Sequence, residues 1–102
     1  MGDTFQMKQN DTRPSLYVNL AQDGSVVDLT GAAVKFHMGT VIDTAAVITD
    51  ATRGSVRYDW LAADTATAGS YRAEFQVTFS DGGIETFPND GHLIINIYSE
   101  LA

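Results

Sequence analysis

Tyr71-Arg72-Ala73-Glu74-Phe75-Gln76-Val77-Thr78-Phe79 is the stretch that decides the fold. Its apolar members, Tyr71, Ala73, Phe75, Val77 and Phe79, recur at every second residue, with Arg72, Glu74, Gln76 and Thr78 between them. A helix repeats every 3.6 residues and would scatter this apolar set around its circumference, whereas a strand sends all of it to one face. One buried and one solvated face is what an antiparallel sheet requires. Directly after it, Asp81-Gly82-Gly83 supplies residues that accept positive φ, and Ile84–Phe87 resumes the apolar run. The pair predicts a β-hairpin.

The same period recurs on both sides of that hairpin. Leu16, Val18 and Leu20 share one face, as do Val34, Phe36 and Met38. Val56, Tyr58 and Trp60 lie opposite Arg57 and Asp59, and Leu93, Ile95 and Ile97 alternate with Ile94, Asn96 and Tyr98. Thr4–Lys8 also alternates, so the N-terminal residues, as far as Thr12, read as an edge strand or an arm, with the strand favoured. Turn chemistry separates the runs at Gln22-Asp23-Gly24-Ser25, at Thr52-Arg53-Gly54 and at Pro88-Asn89-Asp90-Gly91. Only Leu61–Ala66 suggests a turn of helix, placed as a connection between sheets. Gly39–Ala46 is apolar without a clean period and fits a loop, a bent edge strand or a docking surface. Seven or eight strands at this spacing predict an all-β, antiparallel two-sheet sandwich over residues 1–102 as one domain. A closed barrel is the competing arrangement.

Composition narrows the function. A chain of 102 residues supports one core, and 44% hydrophobic content sets it apart from disordered tails. It has no Cys, so neither disulfides nor thiolate metal sites contribute. Thirteen acidic against six basic residues give a net charge of −7, which argues against a nucleic-acid partner because phosphate binding rests on clustered Lys and Arg. No basic and apolar leader opens the chain, and no apolar run is long enough to span a membrane as a helix.

The inventory of reactive groups is thin. His37 and His92 fall on separate strands, and alternation turns His37 toward solvent. Asp28, Asp50, Asp59, Asp64, Asp81 and Asp90 fall mostly in turns, where Asp bonds nearby backbone amides. Neither a calcium-loop motif nor a phosphate-cradling glycine motif occurs, so no metal, cofactor or small-molecule ligand is expected, and no catalysis. Phe36, Trp60, Tyr71 and Phe75 are assigned to the core. The Tyr71 hydroxyl is expected to bond the preceding connection, as in the tyrosine corner of immunoglobulin-like domains. Tyr17, Phe87 and Tyr98 are the aromatics that alternation turns outward, and a carbohydrate-binding or host-adhesion module would need such rings gathered together. Ile94 and Tyr98 lie on the outward face of the last strand, which fits either a second covered face or a subunit contact.

A series of phrases carries a family resemblance. Gln9-Asn10-Asp11-Thr12-Arg13-Pro14, Val27-Asp28-Leu29-Thr30-Gly31-Ala32 with Val34–Met38, Gly54–Trp60, Asp64-Thr65, Gly69–Phe75, Thr86–Gly91 and Leu93–Ile97 follow in order. Together they resemble the N-terminal immunoglobulin-like domain of bacteriophage baseplate upper proteins. The resemblance implies a sandwich built into a virion, without catalytic residues or cofactor, docked on other virion structural proteins in symmetric multiple copies. The contacts expected are Phe5 and Met7 in the N-terminal segment, Val41 and Ile42 in the Gly39–Ala46 segment, and Ile94 and Tyr98 on the last strand. Family members usually continue past this domain, whereas this chain stops at Ala102 and opens on a native-looking Met1. That departure fits either a domain cut out of a longer protein or, as the native-looking Met1 favours, a free-standing component made in the host cytoplasm, such as an adaptor at baseplate, tail or neck, or a capsid decoration protein.

Overall fold

A computed structural model describes residues 4–88 and 93–100. Eleven strands lie among the described residues: β1 (Thr4–Lys8), β2 (Leu16–Asn19), β3 (Ala21–Gln22), β4 (Ser25–Val26), β5 (Ala33–Met38), β6 (Ile42–Ala45), β7 (Val47–Asp50), β8 (Ser55–Tyr58), β9 (Gly69–Thr78), β10 (Ile84–Phe87) and β11 (Leu93–Tyr98). A large sheet runs in the order β1-β11-β9-β5-β6, with β10 also paired to β9. A small sheet runs β2-β8-β7, and β3 and β4 form a separate hairpin. The two sheets pack face to face as a sandwich, and the barrel alternative falls away.

The deciding stretch forms β9, ten residues long and central to the large sheet. One of its edges pairs with β5, while the other is shared by β11 along its first half and β10 along its second. Phe87 stands opposite Phe75 and Leu93 opposite Ala73, so β10 and β11 lie in line along the same edge of β9. β10 ends just before Pro88, a residue with no backbone donor to give to a ladder. The hairpin expected at Asp81-Gly82-Gly83 forms, with Ile84 opposite Thr78 and the Phe79 N–H donating to the Gly83 carbonyl at 2.7 Å.

Two further turns show why their residues stand there. At the tip of β3–β4, Asp23 and Gly24 both take positive φ, 52° and 80°, as a two-residue hairpin demands. Gly54 has φ 66°, and a Cβ there would lie 2.6 Å from the Leu20 carbonyl oxygen and 2.7 Å from that of Val27. Only glycine fits.

The core holds the inward residues of both sheets. Phe36 of β5 stacks on Tyr58 of β8 across the sandwich, centroids 4.6 Å apart, and meets Phe75 at 5.0 Å and Trp60 at 5.7 Å. Phe36, Phe75 and Trp60 are buried. Each such ring contributes roughly 1.5–3 kcal/mol by leaving water, with about 0.5–1.5 kcal/mol more for well-oriented pairs. Tyr71 is half-buried, and its hydroxyl donates to the Thr67 carbonyl at 2.7 Å, the bond to the preceding connection that its position predicts.

The structure differs from the sequence reading in two respects. There are more strands than seven or eight, because Gly39–Ala46 resolves into a turn and the edge strand β6, followed at once by β7. These are rim strands whose residues face solvent on both sides (Ile42 alone of β6 is buried), so alternation fades there. β1 pairs with β11 in parallel, the exception among antiparallel pairings. The short connection after Trp60 is a 3-10 turn, Ala62–Thr65, and it does join the small sheet to the large one.

Candidate interaction surfaces

The six expected contact residues part company in the structure. Met7 and Ile42 point into the core and are 6% and 4% exposed. Neither is available to a partner, which corrects the expectation. The reason is the pleat: Met7 lies opposite Ile97, and Ile42 opposite Met38, both inward-facing partners. Phe5 is half-buried, its ring stacked on Trp60 at 5.9 Å. Ile94 is half-buried on the outer face between Thr4 and Arg72. Val41 and Tyr98 are exposed.

Phe87 requires a second correction. Alternation along Ile84–Phe87 placed it outward, yet it is 1% exposed. Pairing with Phe75 fixes its side, and Ile84 is the residue left in solvent. Tyr17 and Tyr98 remain as exposed rings on the outer faces of opposite sheets, so the two do not join in one aromatic platform. His92 lies outside the described residues. His37 takes the outer face as expected, half-buried, with Nε2 3.1 Å from Asp43 Oδ1.

The two flanks of the sandwich are built differently. On one, β6 of the large sheet passes into β7 of the small sheet through the single residue Ala46, whose N–H donates to the Val34 carbonyl at 2.9 Å. On the other, β1 and β2 are joined by the longer connection of residues 9–15. A cavity of about 270 Å³ lies between them, lined by Thr4, Phe5, Leu16, Val18, Leu93 and Ile95, and reaching Tyr17 and Asn19. A second, of about 240 Å³, continues from Val18, Asn19 and Leu93 past Leu20, Phe75, Phe87 and Pro88.

The closed end of this open flank is latched by polar bonds. Asn10 N–H donates to the Thr65 carbonyl at 3.0 Å, and the buried Thr65 Oγ1 donates to the Asp11 carbonyl at 2.9 Å. Asp64 Oδ2 accepts from the Tyr58 hydroxyl at 2.6 Å and from the Leu61 N–H at 2.8 Å. Burial, with the Asp64 carboxylate beside it, pushes the Tyr58 hydroxyl far above its ordinary value of 10.0. At the start of β2, the Ser15 hydroxyl donates to Asp59 Oδ1 at 2.6 Å and Arg57 Nε lies 2.9 Å from the same oxygen. The Ser15 bond first, and Arg57 after it, hold the Asp59 carboxyl below the usual carboxylate range. These groups fasten loops, and among the described residues no three His, Asp or Glu side chains gather as a metal site.

The BppU N-terminal domain family, that of phage baseplate upper proteins, matches residues 3–87. The chain belongs to this family. No curated protein matches it. Among solved structures, CopC from Methylosinus trichosporium OB3b is similar, with a TM-score of 0.55 and 16% identity over 99% of this chain and 87% of that one. At that identity the likeness speaks for the fold alone. The baseplate family makes the chain a phage structural domain and gives it other virion proteins as neighbours.

Sequence reasoning missed the groove. Its walls, Phe5, Leu16, Val18 and Leu93, read as ordinary inward positions, and nothing in alternation tells that one edge of β2 beside them pairs with no described strand.

Proposed function

We propose that this baseplate-family domain is a non-enzymatic virion building block that docks on neighbouring subunits, in several symmetric copies, through its sheet edges and exposed rim residues. The family match over residues 3–87 carries the reading. Support comes from the open edges of both sheets, since a free edge is a template for pairing with another chain. Val41, Tyr98 and the outer side of Ile94 are the expected contacts that stay accessible. Symmetry lets one modest contact repeat into a ring, so no single interface has to be strong.

Cryo-electron microscopy of intact particles tests the role, with density for this domain expected at the baseplate. Density on the capsid instead would make it a decoration protein. Its absence from particles would sink the reading. Light scattering on the purified chain tests the self-assembly: a clean monomer at all concentrations leaves only docking onto another protein.

A further inference from the structure

The geometry points to the groove beside β2 as an acceptor for an extended segment of a different protein, cationic and apolar at alternate positions; this names the mode of the docking role proposed above and rests on it. The backbone comes first. The Leu20 N–H donates to the Gly54 carbonyl at 2.8 Å, continuing the ladder in which Val18 faces Val56 and Leu16 faces Tyr58. Bonded pairs alternate along an antiparallel ladder, so Leu16, Val18 and Leu20 turn their backbone groups toward β8. Tyr17 and Asn19 turn theirs away, to an edge where no described strand pairs. Two donors and two acceptors stand there in strand spacing.

The side chains supply the other half. The two cavities follow residues 16–21 of the chain, about 20 Å at ~3.3 Å per residue, which is the length of an average strand. Phe5, Val18, Leu93 and Phe87 make the floor apolar, while the solvent side is open. A segment paired to β2 would drop every second side chain into the groove and hold the others in water. Apolar residues at alternate positions fit that, and a uniformly apolar or polar segment does not.

The occupant follows from charge and supply. Residues 1–3 reach about 10 Å and carry one apolar side chain, Met1, so they cannot line the whole groove. In a second copy the described edge strands β1, β2, β6 and β7 keep a free backbone edge, but their inward side chains (Phe5 and Met7, Leu16 and Val18, Ile42, Ile48) are packed in that copy's own core, so none has alternate apolar residues free to fill the groove. Two copies at −7 each also repel, while the same field draws in a basic segment.

Amide hydrogen exchange of the full chain, read by NMR, tests this with three ten-residue peptides: alternating Val and Lys, alternating Val and Glu, and the Val and Lys residues in two blocks. The alternating Val/Lys peptide is expected to slow exchange at Tyr17 and Asn19 at least tenfold, the Val/Glu peptide less, and the blocked peptide not at all. Tyr17→Pro, which removes only an outward donor, should weaken binding at least tenfold. Val18→Thr keeps the shape, adds a hydroxyl to the floor and should weaken binding several-fold, so the test survives if the proline variant does not fold. Unchanged exchange at both amides with saturating Val/Lys peptide overturns the proposal. So does protection in the chain alone that grows with concentration, which would make a second copy the occupant. Co-sedimentation with phage baseplates reads docking separately. Baseplates that carry the chain while the peptides leave both amides unchanged would retire the acceptor and keep the docking role; protected amides without co-sedimentation would do the reverse.

Discussion

One flank of this sandwich is sewn shut by a single residue, and the other is spanned by the connection of residues 9–15. Ala46 carries the chain from β6 to β7 with no slack, so the edges of the two sheets are drawn together and Ile42 is forced inward. The longer connection between β1 and β2 imposes no such closeness, and the sheets part there around a groove of about 270 Å³. Connection length, more than hydrophobicity, separates the flanks, since both turn aliphatic residues to the core: Ile42 and Ile48 on one, Leu16 and Val18 on the other. The sealed flank holds the fold, and the open one keeps backbone and apolar surface in reserve for a partner.

The largest expected effect comes from unpicking the seam. Ile42→Ala removes the one buried residue of β6 and should cost about 3 kcal/mol, in the range for a buried aliphatic truncated to Ala. Urea denaturation would read it. A cost below about 1 kcal/mol would mean that the rim has relaxed around the loss and that the flank is not sealed. Phe5→Ala is the matching change on the open side. Its ring is half-buried and stacked on Trp60, so about 2 kcal/mol is expected, less than for Ile42 despite the larger side chain. A cost above that of Ile42→Ala would reverse the assignment of the two flanks.

How much of this was legible beforehand depends on how far a residue sits from a sheet rim. In β9, β5 and β11, neighbours on both edges enforce the pleat, and Phe36, Ala73, Phe75, Val77 and Ile95 lie buried where alternation put them. Ile84–Phe87 is too short for its phase to be read alone, and the pairing of Phe87 with Phe75 reversed the expectation. In β6 the rim exposes both faces and erases the period. The family phrases were legible because turns and caps constrain residue type: Gly31 and Gly54 take positive φ, and Asp64 accepts from two donors. The groove was not legible, since a missing neighbour leaves no mark on the residues beside it.

The latch at the closed end of the open flank gives a smaller and pH-dependent effect. Tyr58→Phe deletes the hydroxyl that donates to Asp64 and should cost about 1.5 kcal/mol, as for a hydrogen bond to a charged acceptor. The wild-type contribution is fully present below pH 10, where folded and unfolded chains both hold the proton. Above pH 10 the unfolded chain ionises at its ordinary value while the folded one, with Tyr58 raised, does not. The unfolded state then binds fewer protons, so stability falls as pH rises. Thermal melts between pH 8 and 11 should show that decline in the wild type, and a shallower one in Tyr58→Phe. Parallel curves would remove Tyr58 from the account of the latch.

The smallest effect is the most telling about the edge itself. Tyr17 is 67% exposed, and no described side chain bonds its hydroxyl. Tyr17→Ala should therefore move the urea midpoint by an amount equivalent to less than about 0.5 kcal/mol, the usual span for a surface change. The same substitution in the sealed flank's counterpart, Val47→Ala on β7, is expected to fall within that span too, because both side chains flank Arg57 on the outer face of the small sheet. The two edges then differ only when a partner is present. If Tyr17→Ala alone destabilised the isolated chain by more than 1 kcal/mol, the ring would already be packed on something, and the β2 edge would not be in reserve.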